Sequence, residues 1–103
     1  MSTDNKNIEL RHEVLLAFQT ALLGMIESSL RGVTIAWSDR SISGHFLFDG
    51  EIGAEERECA SDVEAEIAAS FPNHKIELTA ETCNFPGSLN ERGLAAWVYR
   101  RKE

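Results

Sequence analysis

The segment that most constrains the fold is residues 33–49, in which two alternating apolar runs flank a short polar break. In the first run Val33, Ile35 and Trp37 alternate with small or polar residues, which is the period of two expected of a half-buried strand. The second run alternates in the same way, and the sequence Ser-Asp-Arg-Ser between them favours a turn. The segment therefore predicts an antiparallel hairpin. An isolated hairpin is only marginally stable in water, so the rest of the chain has to cover it.

Two other stretches have the spacing of amphipathic helices. Residues 8–30 carry apolar side chains at steps of three and four, which predicts a first helix. Gly32 suits a left-handed cap after that helix, and Arg31 would complement the negative end of its dipole. Residues 54–71 predict a second helix, which Pro72 ends because proline cannot continue the hydrogen-bond ladder.

Two further alternating runs, residues 74–83 and 93–101, predict strands joined by a loop over residues 84–92. The order is helix-strand-strand-helix-strand-strand, so one helix–hairpin unit is used twice. We therefore predict an α+β fold, a two-layer sandwich with both helices on one face of a four-stranded, largely antiparallel sheet. Residues 1–7 are predicted to be a flexible N-terminus and residues 8–103 a single domain, since the chain is long enough for only one core.

Composition and cysteine content bear on location and on metal binding. No apolar signal segment opens the chain and no apolar run is long enough to span a bilayer, so we expect a cytoplasmic protein without membrane contact. Cys59 and Cys83 allow a disulfide, a zinc pair or two buried thiols, and a reducing compartment favours buried thiols. The three histidines have no ligand-like spacing with them, so we expect no metal and no cofactor.

Catalysis is the function class with the least support from the sequence. There is no glycine-rich phosphate loop, no serine elbow and no cysteine–histidine signature. The best single candidate for acid–base chemistry is His45, with Asp39 or Asp49 at the hairpin ends as an orienting carboxylate. None of these stands in a recognisable motif, so we expect no enzymatic activity and assign no catalytic residue.

Negative charge is concentrated in one part of the chain. Of the net charge of −7, residues 51–66 contribute six units, because they hold seven carboxylates and one arginine. A solvated helix face and a docking surface for a basic protein partner both explain such a run, whereas direct nucleic-acid binding is disfavoured. We predict partner binding by the acidic stripe, defined as Glu55, Glu58, Asp62 and Glu66, because their spacing places them on one helical face where their fields add.

Aromatic residues supply a second set of candidate contacts. If alternate residues of the last strand face the helices, Trp97 and Tyr99 lie on the open face of the sheet, where they either bind a partner or shield the sheet from water. Phe85 and Leu89, in the loop, either fold back onto the core or present an anchor to a partner. An open sheet face or edge strand also allows a homodimer.

A short chain with a strongly acidic helix, exposed aromatics and no catalytic motif resembles the small acidic immunity proteins of bacterial toxin/immunity systems, such as contact-dependent inhibition or polymorphic toxin systems. The resemblance implies that an acidic inhibitor binds a basic, nuclease-type toxin domain and blocks its active site or substrate groove. No residue role is carried over, since no motif is shared. We therefore expect an inhibitory protein-binding module, and the alternative is a structural or regulatory homodimer.

Overall fold

The computed structural model describes the backbone of residues 3–103 and the side chains of residues 8–103. The side chains of residues 1–7 are outside the described part of the chain, so the flexibility predicted for these residues stays a prediction. The elements, in chain order, are α1 (Thr3–Ala21), β1 (Leu30–Trp37), β2 (Ser41–Phe48), α2 (Ala54–Ser70), β3 (Lys75–Thr82), a short 3₁₀ helix (Asn90–Arg92) and β4 (Ala96–Arg100). This order and the α+β class are as predicted.

The four strands form one mixed sheet in the order β3-β2-β1-β4. The predicted hairpin is confirmed, because β1 and β2 are antiparallel, with Val33 opposite Phe46 and Trp37 opposite Ile42. Strand β4 is antiparallel to β1, whereas β3 is parallel to β2. The prediction of one unit used twice is wrong, since β3 and β4 lie at opposite edges of the sheet. A parallel neighbour requires a crossover connection, and α2 provides it.

Helix α1 ends at Ala21, nine residues earlier than predicted. The chain leaves the helix through a series of turns in which Gly24 has a φ of +78°, a left-handed conformation that glycine adopts without steric cost. Gly32, predicted to be the helix cap, instead lies in β1. A Cβ atom at Gly32 would lie 2.8 Å from Trp97 Cζ3, so the indole ring packs directly on the strand backbone.

Helix α2 begins at the predicted residue and ends one residue early, before Pro72. Its first turn is stabilised by Glu56, whose side chain accepts a hydrogen bond from the backbone N–H of Gly53 at 3.0 Å. Glu55 and Glu56 also place negative charge at the positive end of the helix dipole. Local sequence thus specifies where this helix starts and stops.

The main core lies between the two helices and one face of the sheet, as predicted. Its fully buried side chains include Val14 and Phe18 from α1, Val63 and Ile67 from α2, and Val33, Ile35, Ile42 and Phe46 from the central hairpin. Burying a side chain of this size stabilises the fold by about 1.5–3 kcal/mol relative to exposing it. The apolar cover that the hairpin requires is therefore supplied by α1 and α2.

A second, smaller cluster lies on the sheet face that points away from the helices, here called the outer face. Leu47, Cys83 and Leu89 are buried there, and Trp97 packs on them. The segment after β3 thus folds over one end of the outer face. Both cysteines are free and buried, which agrees with the buried-thiol alternative. None of the described helices is long and apolar enough to cross a membrane.

Candidate partner-binding surface

The four carboxylates of the acidic stripe are all exposed on α2. They point outward because Cys59, Val63 and Ile67 occupy the intervening core-facing positions of the same helix. No carboxylate of the stripe forms an ion pair with any of the side chains of residues 8–103. Their charge is therefore not neutralised within that part of the chain.

Three carboxylates of the stripe line a groove between α2 and the turns that follow α1. The groove has a volume of about 200 Å³, and Glu27 lines it together with Glu55, Glu58 and Asp62. The thiol of Cys59 also lines this groove and donates a hydrogen bond to the carbonyl oxygen of Met25 at 3.2 Å. Burial raises the pKa of this thiol, and the charges of Glu27 and Asp62 raise it further. The groove is therefore a region of negative potential.

The remaining carboxylate of the stripe, Glu66, lines a second groove where α2 meets α1. This groove has a volume of about 410 Å³, and Glu13 of α1 contributes a second carboxylate to it. Apolar side chains also line it, among them Leu16, which is 64% exposed. We call the two grooves together the acidic seam, with the carboxylates Glu13, Glu27, Glu55, Glu58, Asp62 and Glu66.

Four of these six carboxylates form the acidic stripe predicted from the sequence, and their binding of a partner stays a prediction. Glu13 and Glu27 were missed because they lie outside the acidic run of residues 51–66, and only the packing of α1 and the following turns beside α2 brings them to the seam. Like the stripe, neither of them forms an ion pair within residues 8–103. An isolated acidic residue, such as Glu13 on α1 or Glu27 in the turns after it, has no signal in sequence that would have singled it out.

The aromatic residues of β4 do not share a face, so the prediction that Trp97 and Tyr99 both lie on the open face is wrong for Tyr99. Trp97 pairs with Thr34, whereas Tyr99 pairs with Val33, because the register of β1 and β4 shifts between these two positions. An irregularity of this kind breaks the alternation of side chains along a strand. Trp97 therefore lies on the outer face, and Tyr99 packs against the main core.

Phe85 is exposed, at 54%, on a loop that is held in place by several hydrogen bonds. Its backbone N–H donates to Asp49 Oδ1 at 3.1 Å, and the side chain of Asn84 accepts from the N–H of Gly50 at 2.7 Å. The guanidinium of Arg31 lies 5.6 Å from the centre of the Phe85 ring. Of the two outcomes considered for this loop, Leu89 folds back into a core and Phe85 is presented to solvent.

The prediction that Arg31 lies at the end of a helix is wrong. Arg31 is a buried residue of β1, with 2% of its surface exposed. Its guanidinium donates to both carboxylate oxygens of Glu103, at 2.7 and 2.8 Å. It also donates to the carbonyl oxygens of Cys83 and Gly87, at 2.6 and 2.7 Å. Hydrogen bonds from Arg31 and, to a smaller extent, from Arg101 lower the pKa of Glu103 from 4.5 to about 2. This network holds the Phe85 loop against β1.

A family model described as MafI2 immunity protein matches residues 11–103. The chain belongs to the MafI2 immunity protein family. The matched residues include all four strands, α2 and the acidic seam. The match confirms the resemblance to immunity proteins, and membership of such a family implies a toxin partner. No curated protein matches the chain.

Immunity proteins are in general not enzymes, and the surroundings of His45 in this MafI2 family member differ from those considered in the sequence. Its Nδ1 atom lies 2.8 Å from Thr79 Oγ1 and 3.3 Å from Glu81 Oε1, so its contacts are not with Asp39 or Asp49. The parallel pairing of β2 and β3 sets these side chains side by side on the outer face. Within residues 8–103, no group of three or more metal-ligating side chains is arranged to hold a metal ion.

Proposed function

We propose that this MafI2 family member neutralises a basic, nuclease-type toxin domain in the cytoplasm by binding it directly through the acidic seam. The observation that carries the proposal is the gathering of six exposed or partly exposed carboxylates around two grooves, without ion-pair partners in the described part of the chain. A nuclease that holds a phosphate backbone presents positive charge around its active site. The seam is complementary to such a surface.

Charge and apolar surface would contribute differently to this complex. Opposite charges steer the two proteins together and raise the association rate, whereas a few well-packed side chains hold the complex once formed. We place Tyr99 among the contacts near the seam, because it lines a groove beside the end of α1. Phe85 is a second candidate anchor on its fixed loop. Trp97, on the outer face, would belong to a separate contact.

The proposal is tested by inhibition of the toxin domain that this protein protects against. The purified toxin domain is assayed on DNA and RNA with increasing amounts of the immunity protein. We expect nuclease activity to fall to zero at about one immunity protein per toxin domain, as tight binding requires. The matched control is Glu77→Lys with Glu91→Lys, which alters charge on exposed residues away from the seam and should inhibit as well as the wild type.

Two results would contradict the proposal. A neutralised toxin domain that is acidic, or that acts on a substrate other than nucleic acid, would remove the nuclease assignment and leave the family membership intact. A toxin that remains active in a stable complex with the immunity protein would show that direct binding does not neutralise it.

A further inference from the structure

An apolar groove lies at the end of α1, where the helix and the turns after it meet β4. It has a volume of about 330 Å³, and Leu23, Ile26, Val98 and Tyr99 are among the residues that line it. Leu23 is 78% exposed and Ile26 is 46% exposed. Two large apolar side chains three residues apart thus stand in water, which is unfavourable unless a partner covers them.

The backbone that presents these side chains is well fixed. The N–H of Leu23 donates to the carbonyl oxygen of Thr20 at 3.2 Å, and that of Met25 donates to Leu22 at 3.0 Å. The carbonyl oxygen of Met25 is in turn hydrogen-bonded to the thiol of Cys59 on α2. Leu23 and Ile26 are therefore held at defined positions, which lowers the entropic cost of covering them.

The apolar groove adjoins the acidic seam directly. Gly24 and Ile26 line both the apolar groove and the acidic groove that contains Glu27, Glu58 and Asp62. A binding partner that fills both grooves must therefore carry an apolar group and, a short distance away, a positive charge. A second copy of this chain does not meet that requirement, because it carries a net charge of −7.

We infer that the Leu23–Tyr99 groove receives an apolar side chain from a basic segment of the toxin domain, in which lysine or arginine follows within a few residues and faces Glu27, Glu58 and Asp62. This inference rests on the proposed function and adds to it the composition of the recognised segment. The apolar side chain buries Leu23 and Ile26, and the cation is held by the carboxylates at the border of the two grooves.

The test is a kinetic comparison on the catalytically inactivated toxin domain, immobilised and exposed to variants of the full-length immunity protein. For Leu23→Ser with Ile26→Ser we expect dissociation to be at least about tenfold faster, with an association rate within about twofold of the wild type, because no charge is altered. Leu94→Ser is the control, since Leu94 is also exposed but lines neither groove, and its kinetics should not change. Both substitutions of the double variant are on the surface, and an unaltered unfolding temperature verifies its fold.

Each other outcome overturns the inference in a distinguishable way. If the wild type neutralises the toxin and the double variant dissociates at the wild-type rate, the groove is not used, whereas the proposed function survives. If the wild type self-associates and the double variant does not, the occupant is a second copy of this chain. If the wild type does not bind the toxin domain at all, the proposed function and this inference both fail.

Discussion

At the scale of single residues, Arg31 is a charged side chain that is buried in the fold, with 2% of its surface exposed. A buried cation is tolerated only when it is paired and its donors are satisfied, and Arg31 meets both conditions through Glu103, Cys83 and Gly87. The side chain connects β1 to the loop after β3 and to the last residue of the sequence. Its role is to fix the loop that presents Phe85.

Replacing Arg31 with methionine, which has a similar length and no charge, should lower the free energy of unfolding by about 3 kcal/mol. The reason is that the carbonyl groups of Cys83 and Gly87 would lose the donor provided by Arg31, and Glu103 would keep only its ion pair with Arg101. Urea denaturation measures the change. Arg40→Met, at an exposed position of the hairpin turn, is the control and should alter stability by less than about 0.5 kcal/mol. Equal stability of the two variants would show that the network is not stabilising.

The ion pair also predicts how stability depends on pH. The folded-state pKa of Glu103 is lowered to about 2, below its ordinary 4.5, so its contribution to stability is present above pH 4.5 and is lost as the pH falls from 4.5 towards 2. We expect the difference in urea midpoint between the wild type and Glu103→Gln to be constant between about pH 5 and pH 7 and to shrink below that range. A difference that grew on acidification would contradict the assignment.

At the scale of the elements, local sequence accounts well for α2 and less well for α1. Pro72 and the charged first turn mark both ends of α2. The apolar spacing of α1, by contrast, continues through Leu22, Met25 and Ile26, which lie beyond its last residue, Ala21. Those side chains belong to turns and not to a helix, because Gly24 adopts a left-handed conformation. Glycine is compatible with several conformations, so the sequence alone does not say which one is used.

The faces of β4 show a second limit of local reasoning. Strict alternation assigns Trp97 and Tyr99 to one face, and it holds only when strands pair without a register shift. The shift between Val33 and Thr34 in β1 moves Tyr99 to the helix side. Such irregularities arise from packing between strands that are distant in sequence, here β1 and β4. The sequence of β4 alone therefore does not predict them.

The acidic seam implies that α2 is less stable than it would be with a balanced surface. Glu58 and Asp62 are four residues apart, and like charges at this spacing destabilise a helix by about 0.2–0.5 kcal/mol. Glu58→Lys with Asp62→Lys should therefore leave the unfolding free energy unchanged or slightly raised, as measured by urea denaturation followed by circular dichroism. A loss of more than about 1 kcal/mol would show that these carboxylates have a structural role instead.

At the scale of the whole molecule, the strand order and the acidic seam could not be predicted from the sequence. Periodicity says which residues share a face but not which strands are neighbours, so the parallel placement of β3 beside β2 was not predicted. The same applies to the seam, where Glu13 and Glu27 join the acidic stripe only through tertiary packing. The charge run on α2, which is continuous in sequence, was the part of the site that could be predicted.

The alternative of a homodimer makes a prediction of its own. The sheet has two edge strands, β3 and β4, and β3 carries Lys75, Glu77 and Glu81, charges of the kind that discourage edge-to-edge pairing. We therefore expect the protein to sediment as a monomer of 11.5 kDa at micromolar concentration. A stable dimer under these conditions would favour the homodimer, and loss of that dimer on substitution of β3 residues would locate its interface.

We expect the acidic seam, and not overall negative charge, to guide the toxin to this protein. This expectation is tested most directly by the association rate constant with the inactivated toxin domain at low and high salt. Two double variants are compared with the wild type: Glu58→Lys with Asp62→Lys at the seam, and Glu77→Lys with Glu91→Lys away from it. Both change the net charge equally. We predict that only the seam variant associates more slowly, by about tenfold at low salt, with a weaker salt dependence. Equal rates for the two variants would contradict the claim.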